Sequence, residues 1–492
     1  MSTIQKKSIQ STIIIMGAFA IGAFNLLVLA PRILTTEQFG LTRVIGDAAL
    51  TLATMCTLGC LPIIYKFFPF YKAYLPIEKN DLPFFTGMVC LTGLIVCCFI
   101  GWLCRDLIEK KFIEKSPLFV NYSYLVYPYC VCILGFMWLE SFTISFRRSN
   151  LSNALREFVP RILFTLLLAL YAWKLISDKG FYQLFSLSFL LPALILFIVL
   201  RGTGRFRFVT TMSPVTSRLK GKMISFGLFI FGSQFLNLLS KTADTFIITG
   251  KSPGGLADAA VFTIATYVVT LMEVPQRSMN SVTTPVLAEA WKDKAMLRIR
   301  SIYVKSVTNL LLVGLTMFGL MWLNLHNIAG FLGKDFSGVD TAILIMGIGK
   351  LIDLGTGANS QIIGTSSYWK VDFTTNVIYT IIALPLNFLL ITHFGIKGAA
   401  YATLISLSFY NLMRFGFLWW KFNMQPYTWK DLLAVVLAIA GILLVKLVPH
   451  RADFIVDAII RSILFIAFFA TAIYVSRISE EANKYVDRYL KR

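Results

Sequence analysis

The chain has 492 residues, of which 57% are hydrophobic and only 14% charged, with a mean hydropathy of +0.72. Soluble domains carry about 25% charged residues, and no loop is long enough for a soluble domain of about 50 residues, so an extramembrane catalytic domain is excluded. The formal charge of +21 is no nucleic-acid signature, because Lys and Arg concentrate in alternate loops, as the positive-inside rule predicts.

Some fourteen apolar stretches of about 20 residues fill the chain, and about 20 helical residues cross a bilayer core of roughly 30 Å. Backbone polar groups in lipid must be satisfied within the segment, so these stretches are predicted helices. They cover residues 11–30, 43–65, 84–104, 122–145, 158–176, 182–200, 223–248, 260–283, 302–323, 340–364, 372–392, 398–419, 430–448 and 454–475. Lys6 and Lys7 resemble the start of a signal peptide. The run from Ser11 to Ala30 is nevertheless of full spanning length and many spans follow, so it reads as an uncleaved first span. An even count places both termini on one side, and the Lys/Arg bias makes that side the cytoplasm. The inward clusters are Arg147, Arg148, Arg156 and Arg161, then Arg201 to Lys222, then Lys292 to Lys305.

The linker Arg201 to Lys222, with Gly202, Gly204 and Pro214, holds no spanning run and divides the chain. The expected organisation is an N-terminal six-helix lobe over 1–200, a basic cytoplasmic linker over 201–222 and a C-terminal six-helix lobe over 223–421. Two additional transmembrane helices follow over 422–475. In the tail, 476–492, Ile478, Ala482, Tyr485 and Tyr489 recur at helical spacing among charges, as in an amphipathic cytoplasmic helix. The predicted fold class is an all-α polytopic membrane protein, with two six-helix lobes around a central cavity plus two C-terminal helices.

All eight cysteines fall before residue 133, nearly all within predicted helices, and read as small packing residues. His326, His393 and His450 lie far from them near outward loops, so no metal site is expected. No Walker motif, nucleophile elbow or metal-ligand cluster is present.

A charge inside a span costs about 2.5–3.5 kcal/mol at its centre on insertion scales, so each needs a reason. Here they come in pairs: Arg43 and Asp47, Lys241 and Asp244, Glu273 and Arg277, Lys350 and Asp353. Spacings of three or four residues put each pair on one helix face. Self-neutralising pairs that only hold helices together are the plain reading of any one of them. Four together suggest a hydrated cavity holding both signs. Arg and Lys suit a phosphate or diphosphate, which arginine binds with bidentate, charge-assisted hydrogen bonds. The carboxylates Glu273, Asp47, Asp244 and Asp353 are candidates for a coupling proton or sodium ion, Glu273 being nearest the middle of its span. Glu140 reads as an unpaired carboxylate at the cytoplasmic edge of span four. Pro275 and Pro385 are placed to kink their spans. Gly347, Gly349, Gly355 and Gly357 bracket Lys350 and Asp353 and point to close approach or a bend there.

Three stretches together resemble a known family. They are Leu29-Ala30-Pro31-Arg32-Ile33-Leu34-Thr35-Thr36-Glu37-Gln38-Phe39-Gly40, Lys241-Thr242-Ala243-Asp244-Thr245-Phe246-Ile247-Ile248, and Phe394-Gly395-Ile396-Lys397-Gly398-Ala399-Ala400-Tyr401-Ala402-Thr403. The chain resembles the polysaccharide biosynthesis flippases, the Wzx-like O-antigen and capsule transporters. That family belongs to the larger group holding MATE multidrug exporters and the lipid II flippase MurJ. The resemblance implies no cofactor and an oligosaccharide joined through diphosphate to a polyprenyl lipid as cargo. It also implies alternating access in a bacterial inner membrane, with a polysaccharide polymerase or other assembly protein as candidate partner. Arg277 and Arg43 best match the diphosphate-binding arginines of the relatives, Lys350 and Lys241 being further candidates and Arg32 a weaker match. A cation-coupled MATE-type drug exporter is the alternative within transporters, although balanced charge pairs lean towards anionic cargo. A membrane-embedded polymerase or glycosyltransferase is the alternative from another class. The outward loops near 105–121 and 324–339 carry no constellation suited to it.

Overall fold

The computed structural model describes residues 17–479 apart from Arg147 and Arg205, together with Asn483 and Asp487. Ala482, Tyr485 and Tyr489 of the expected amphipathic tail lie outside the described residues, as do residues 1–16 and the side chain of Lys241. Among the described residues there are helices and no strand. Among the described residues, seven helices are long and apolar enough to cross a membrane, or up to nine if each of two bent pairs is one span. The all-α polytopic class is thus present, and each of the fourteen apolar stretches is helical over most of its described length. The chain divides into two compact units, Met1–Ala260 and Val261–Arg492.

The N-terminal unit contains α1 (Gly17–Ile33), α2 (Thr36–Cys56), α3 (Cys60–Tyr74), α4 (Leu82–Leu103), α5 (Arg105–Phe112) and α6 (Pro117–Ser145). These are followed by α7 (Ser149–Glu157), α8 (Val159–Ala172), α9 (Asp178–Gly202), α10 (Pro214–Lys251) and the start of α11 (Leu256–Thr270). Thr35 opens α2 with a capping box, its hydroxyl accepting from Gln38 N while the Gln38 side chain accepts from Thr35 N. Gly40, one turn on, is demanded by packing: a Cβ there would stand 1.9 Å from the carbonyl oxygen of Leu256. Two residues of the first family-like stretch are therefore explained by a helix start and a close backbone approach. The expected second span is broken instead of continuous, with Leu58 and Gly59 at positive φ between α2 and α3. The supposed outward loop after residue 104 is largely helical, forming α5 and the start of α6. Part of the basic linker is helical too, because Ser213 caps α10 and Pro214 begins it. The buried Asp81 carboxylate fixes that start, accepting from Ser213 N at 2.7 Å and from Ser213 Oγ at 2.8 Å. Glu140 is not unpaired as expected: it is buried and forms an ion pair with Arg156.

The C-terminal unit continues with α12 (Glu273–Lys292), α13 (Met296–Leu323), α14 (Leu325–Leu332), α15 (Val339–Gly355) and α16 (Asn359–Thr365). It ends with α17 (Trp369–Phe422), α18 (Trp429–Lys446) and α19 (Phe454–Val475). Expected spans eleven and twelve run together as α17, broken only at Gly395, whose φ of 56° and ψ of −132° reverse the chain. Gly398 belongs to the same turn, since a Cβ there would meet the Leu390 carbonyl oxygen at 2.0 Å. The break thus falls at glycine and not at Pro385, which the helix accommodates.

One buried ion pair in α19 ties three elements together. Arg461 Nε donates to Asp457 at 2.7 Å, and its terminal nitrogens donate to the carbonyls of Val445 and Val448. Asp457 also accepts from Asn327 of α14 at 2.9 Å and from the backbone of Arg451. Removing one partner of a buried pair strands the other charge and costs about 3–5 kcal/mol. Arg461→Ala is therefore expected to lower the melting temperature of the purified protein sharply. An unchanged midpoint would mean that the pair is hydrated and of little weight.

Candidate functional site

In the N-terminal unit, Arg43 and Asp47 lie one turn apart on α2, but they form no ion pair. Asp47 instead accepts from Thr245 Oγ1 of α10 at 2.8 Å. Thr51 donates to the Asp47 backbone carbonyl at 2.7 Å, and its hydroxyl reaches Thr242 of α10 at 3.2 Å. Three threonines therefore hold α2 against α10 and orient the carboxylate. Arg43 is half-buried, and its Nε is buried with no hydrogen-bond partner. Among the described residues it makes neither a hydrogen bond nor an ion pair. An unsatisfied guanidinium inside apolar helices is costly, and it is chemically ready for an anion with two acceptor oxygens. Asp244, on α10, likewise has a buried Oδ1 without a partner.

In the C-terminal unit two of the sequence pairs fuse into one chain. Arg277 contacts Glu273 at 2.7 Å, Glu273 contacts Lys350 at 3.1 Å, and Lys350 contacts Asp353 at 2.7 Å. Asn411 of α17 donates to Asp353 at 2.9 Å and accepts from Thr356 and Asn359. The charges of the four ionic groups cancel, yet they are unequally available. Lys350 is 10% exposed, whereas Arg277, at the end of the chain, is 66% exposed. The guanidinium can therefore give its outer donors to a ligand without abandoning Glu273.

Two breaks deliver these groups. α11 and α12 bend by 46° at Leu271–Met272, and Glu273 opens the second half. Glu273 thus lies near the middle of its span, as expected, and at the start of the second of two helices that make up that broken span. The cause is Pro275, which lacks the N–H that would bond the carbonyl four residues back. The other bent pair turns by 47° at the end of α15, three residues beyond Asp353, where Gly357 adopts a φ of 64°. Broken helices beside charged groups are the common way membrane transporters bring unpaired backbone and side chains to a ligand. Gly349 also approaches α17 closely, a Cβ there standing 3.0 Å from Leu404 Cα, as the glycine pattern implied.

A second polar group was not singled out from the sequence. Arg414 pairs with Asp372, and its guanidinium lies 3.8 Å over the Tyr410 ring, all on α17. The partners are 42 residues apart in sequence, so no local spacing reveals them. Asp457 and Arg461, by contrast, are four apart inside a span and satisfy the same spacing rule as the Arg43–Asp47 and Glu273–Arg277 pairs.

The family model for polysaccharide biosynthesis proteins matches residues 6–291, more than half of the chain. The chain belongs to this family. No curated protein matches this polysaccharide biosynthesis protein by sequence. Among solved structures it is similar to the lipid II flippase MurJ in an inward closed conformation, at 15% identity over 96% of this chain and 100% of that one, with a TM-score of 0.70. It is also similar to an inward-facing multidrug resistance MATE transporter of the MOP superfamily, at 16% identity over 81% and 94%, TM-score 0.64. A MOP-superfamily transporter from Pyrococcus furiosus matches at 13% identity over 85% and 95%, TM-score 0.54. These likenesses establish a shared fold. The family match supplies the connection to polysaccharide synthesis.

Proposed function

We propose that the protein is a flippase that moves a polyprenyl-diphosphate-linked oligosaccharide across a bacterial inner membrane by alternating access. The cargo would be an O-antigen, capsule or exopolysaccharide repeat unit, and both termini would be cytoplasmic. The observation that carries this reading is the unpartnered Arg43 guanidinium among apolar helices of a polysaccharide biosynthesis protein. Arg43 in the N-terminal unit and Arg277 in the C-terminal unit are each candidates to bind the diphosphate, with Lys241 and Lys350 adding positive potential in their respective units. Glu273, Asp353, Asp47 and Asp244 would carry a coupling proton or sodium ion. Drug export on the same fold is the weaker reading, because the family match points to polysaccharide synthesis.

The test is a deletion strain examined for surface polysaccharide and for the sidedness of extracted lipid-linked oligosaccharide. Loss of surface glycan with finished repeat units trapped on the cytoplasmic leaflet is the expected result. Unchanged glycan without trapped intermediate, in a strain lacking any second flippase, would reject the proposal. Complementation with Arg277→Ala is expected to restore the protein but not the glycan. Normal glycan with that variant would remove Arg277 from the diphosphate role.

A further inference from the structure

Of the three basic clusters in the sequence, the one in the linker between α9 and α10 differs from the others in its partners. No acidic residue lies between Asp178 and Asp244. Arg201, Arg207, Arg218, Lys220 and Lys222 are all exposed, and none of them forms an ion pair among the described residues. The other two clusters are partly neutralised by the protein itself. Arg156 pairs with Glu140, Arg161 with Glu157 at 2.7 Å, and Arg298 with Glu289 at 3.4 Å.

The linker is also held in place. Phe206 is buried and packs edge-on against Trp138 and Phe142 of α6, with ring centroids 5.5 and 5.3 Å away. The Phe208 ring stacks on that of Trp138 at 6.1 Å. At the far end Asp81 fixes Ser213, and Tyr71 of α3 hydrogen-bonds Thr216 at 2.6 Å. The cations therefore project from a docked segment, and a partner need not order a loose loop to meet them.

Two observations decide the partner. The first is level. Arg201 stands in the last turn of α9, and Lys222 precedes the apolar part of α10. Ile198 and Ile224, within three residues of those cations, are exposed apolar side chains. The charges therefore begin where the apolar faces of the two helices end, which is the headgroup level of a bilayer. The second is interleaving. Phe208 and Met212 lie between the cations in sequence and are 55% and 52% exposed. A soluble anion or an acidic protein patch would engage only the charges. A phospholipid leaflet takes the cations at its phosphates and the apolar side chains at its acyl boundary.

We infer that the linker, 201–222, is a docking surface for anionic phospholipid in the leaflet it meets. Lipid phosphates there take the place of the carboxylates that the other two basic clusters find within the protein. The surface is separate from the charged groups assigned to cargo, and it does not depend on what the cargo is.

The test equilibrates the full chain with phosphatidylcholine vesicles containing a minority of phosphatidylglycerol, extracts it in mild detergent and quantifies the retained phospholipid. Wild type is expected to enrich phosphatidylglycerol over its bulk share by about fivefold or more. The enrichment should largely vanish at about 1 M salt, where the screening length is about 3 Å. Arg207→Ala, Arg218→Ala and Lys220→Ala combined should remove most of it, and Phe208→Ser should lower it about twofold or more without touching a charge. The matching change in another cluster, Lys292→Ala, Lys294→Ala and Arg300→Ala combined, should leave it within about twofold of wild type. Equal loss in the two triple variants would overturn the inference, because overall charge and not this surface would then govern retention. Enrichment that survives high salt in wild type would overturn it without recourse to any variant. Displacement of phosphatidylglycerol by inorganic phosphate would give the surface to a soluble anion instead. Absence of enrichment in wild type would leave the linker's charge to membrane topology alone.

Discussion

Arg43→Ala is expected to abolish glycan export while leaving the amount and melting temperature of the protein unchanged. The reason is an asymmetry in what Arg43 does. Among the described residues it holds nothing: its Nε is buried without a partner, and the neighbouring Asp47 is satisfied by Thr245. Truncation therefore breaks no hydrogen bond or ion pair among the described residues, and Asp47 keeps its bond from Thr245. It also removes a charge whose place within an apolar helix is costly. Losing a desolvated charge-assisted contact to the ligand costs about 2–5 kcal/mol, roughly thirtyfold or more in binding. Arg43→Lys should recover part of the loss, because it restores the charge but not the planar fork. Export assays paired with quantitative blotting and thermal denaturation separate the outcomes. Normal export would remove Arg43 from the substrate site, and parallel loss of protein would make it a structural residue.

Lys350→Met is expected to have the opposite character, with loss of stability preceding any question of transport. Lys350 is the only cation between Glu273 and Asp353 in the described chain of ion pairs, and it is largely buried. Its removal leaves Asp353 with Gln276 and Asn411 alone, and two carboxylates facing a gap. The expected cost is about 3–5 kcal/mol, read as reduced abundance and a lower melting temperature in detergent. Adding Asp353→Asn to Lys350→Met removes the stranded carboxylate while keeping a side chain for Asn411, so much of the stability should return. Glu273 would still have Arg277, at 2.7 Å. Full stability of the single variant would show that the cluster is hydrated and weakly coupled. Failure of the double variant to recover would show that Lys350 acts through packing of its stem instead of its charge.

The two clusters differ in how much of them was legible beforehand. Spacing placed Lys350 beside Asp353 and Arg277 beside Glu273, because residues three or four apart share a helix face in any helix. The same rule placed Arg43 near Asp47 but did not reveal that a threonine from α10, 198 residues away, satisfies the carboxylate. It also did not reveal the Lys350–Glu273 contact, which makes one network of two pairs. Glu140 shows the limit from the other side: read alone it lacks a partner, yet Arg156 reaches it across a turn between helices. Arg414 and Asp372 meet only because Gly395 folds the long helix back on itself.

The sequence by itself determined the membrane class, the helical character of each apolar stretch, the charged pairs within them, and a bend or close approach at the glycines beside Asp353. These follow from short-range constraints: backbone hydrogen bonds must close within a segment in lipid, neighbouring turns share a face, and only glycine accepts positive φ cheaply. The tertiary structure alone decided which charge is satisfied and which is left for a ligand. It also decided that Lys350 meets Glu273 and so joins two local pairs into one network. Those outcomes depend on side chains tens to hundreds of residues apart, and their free energy is set by packing and desolvation that exist only once the helices have assembled.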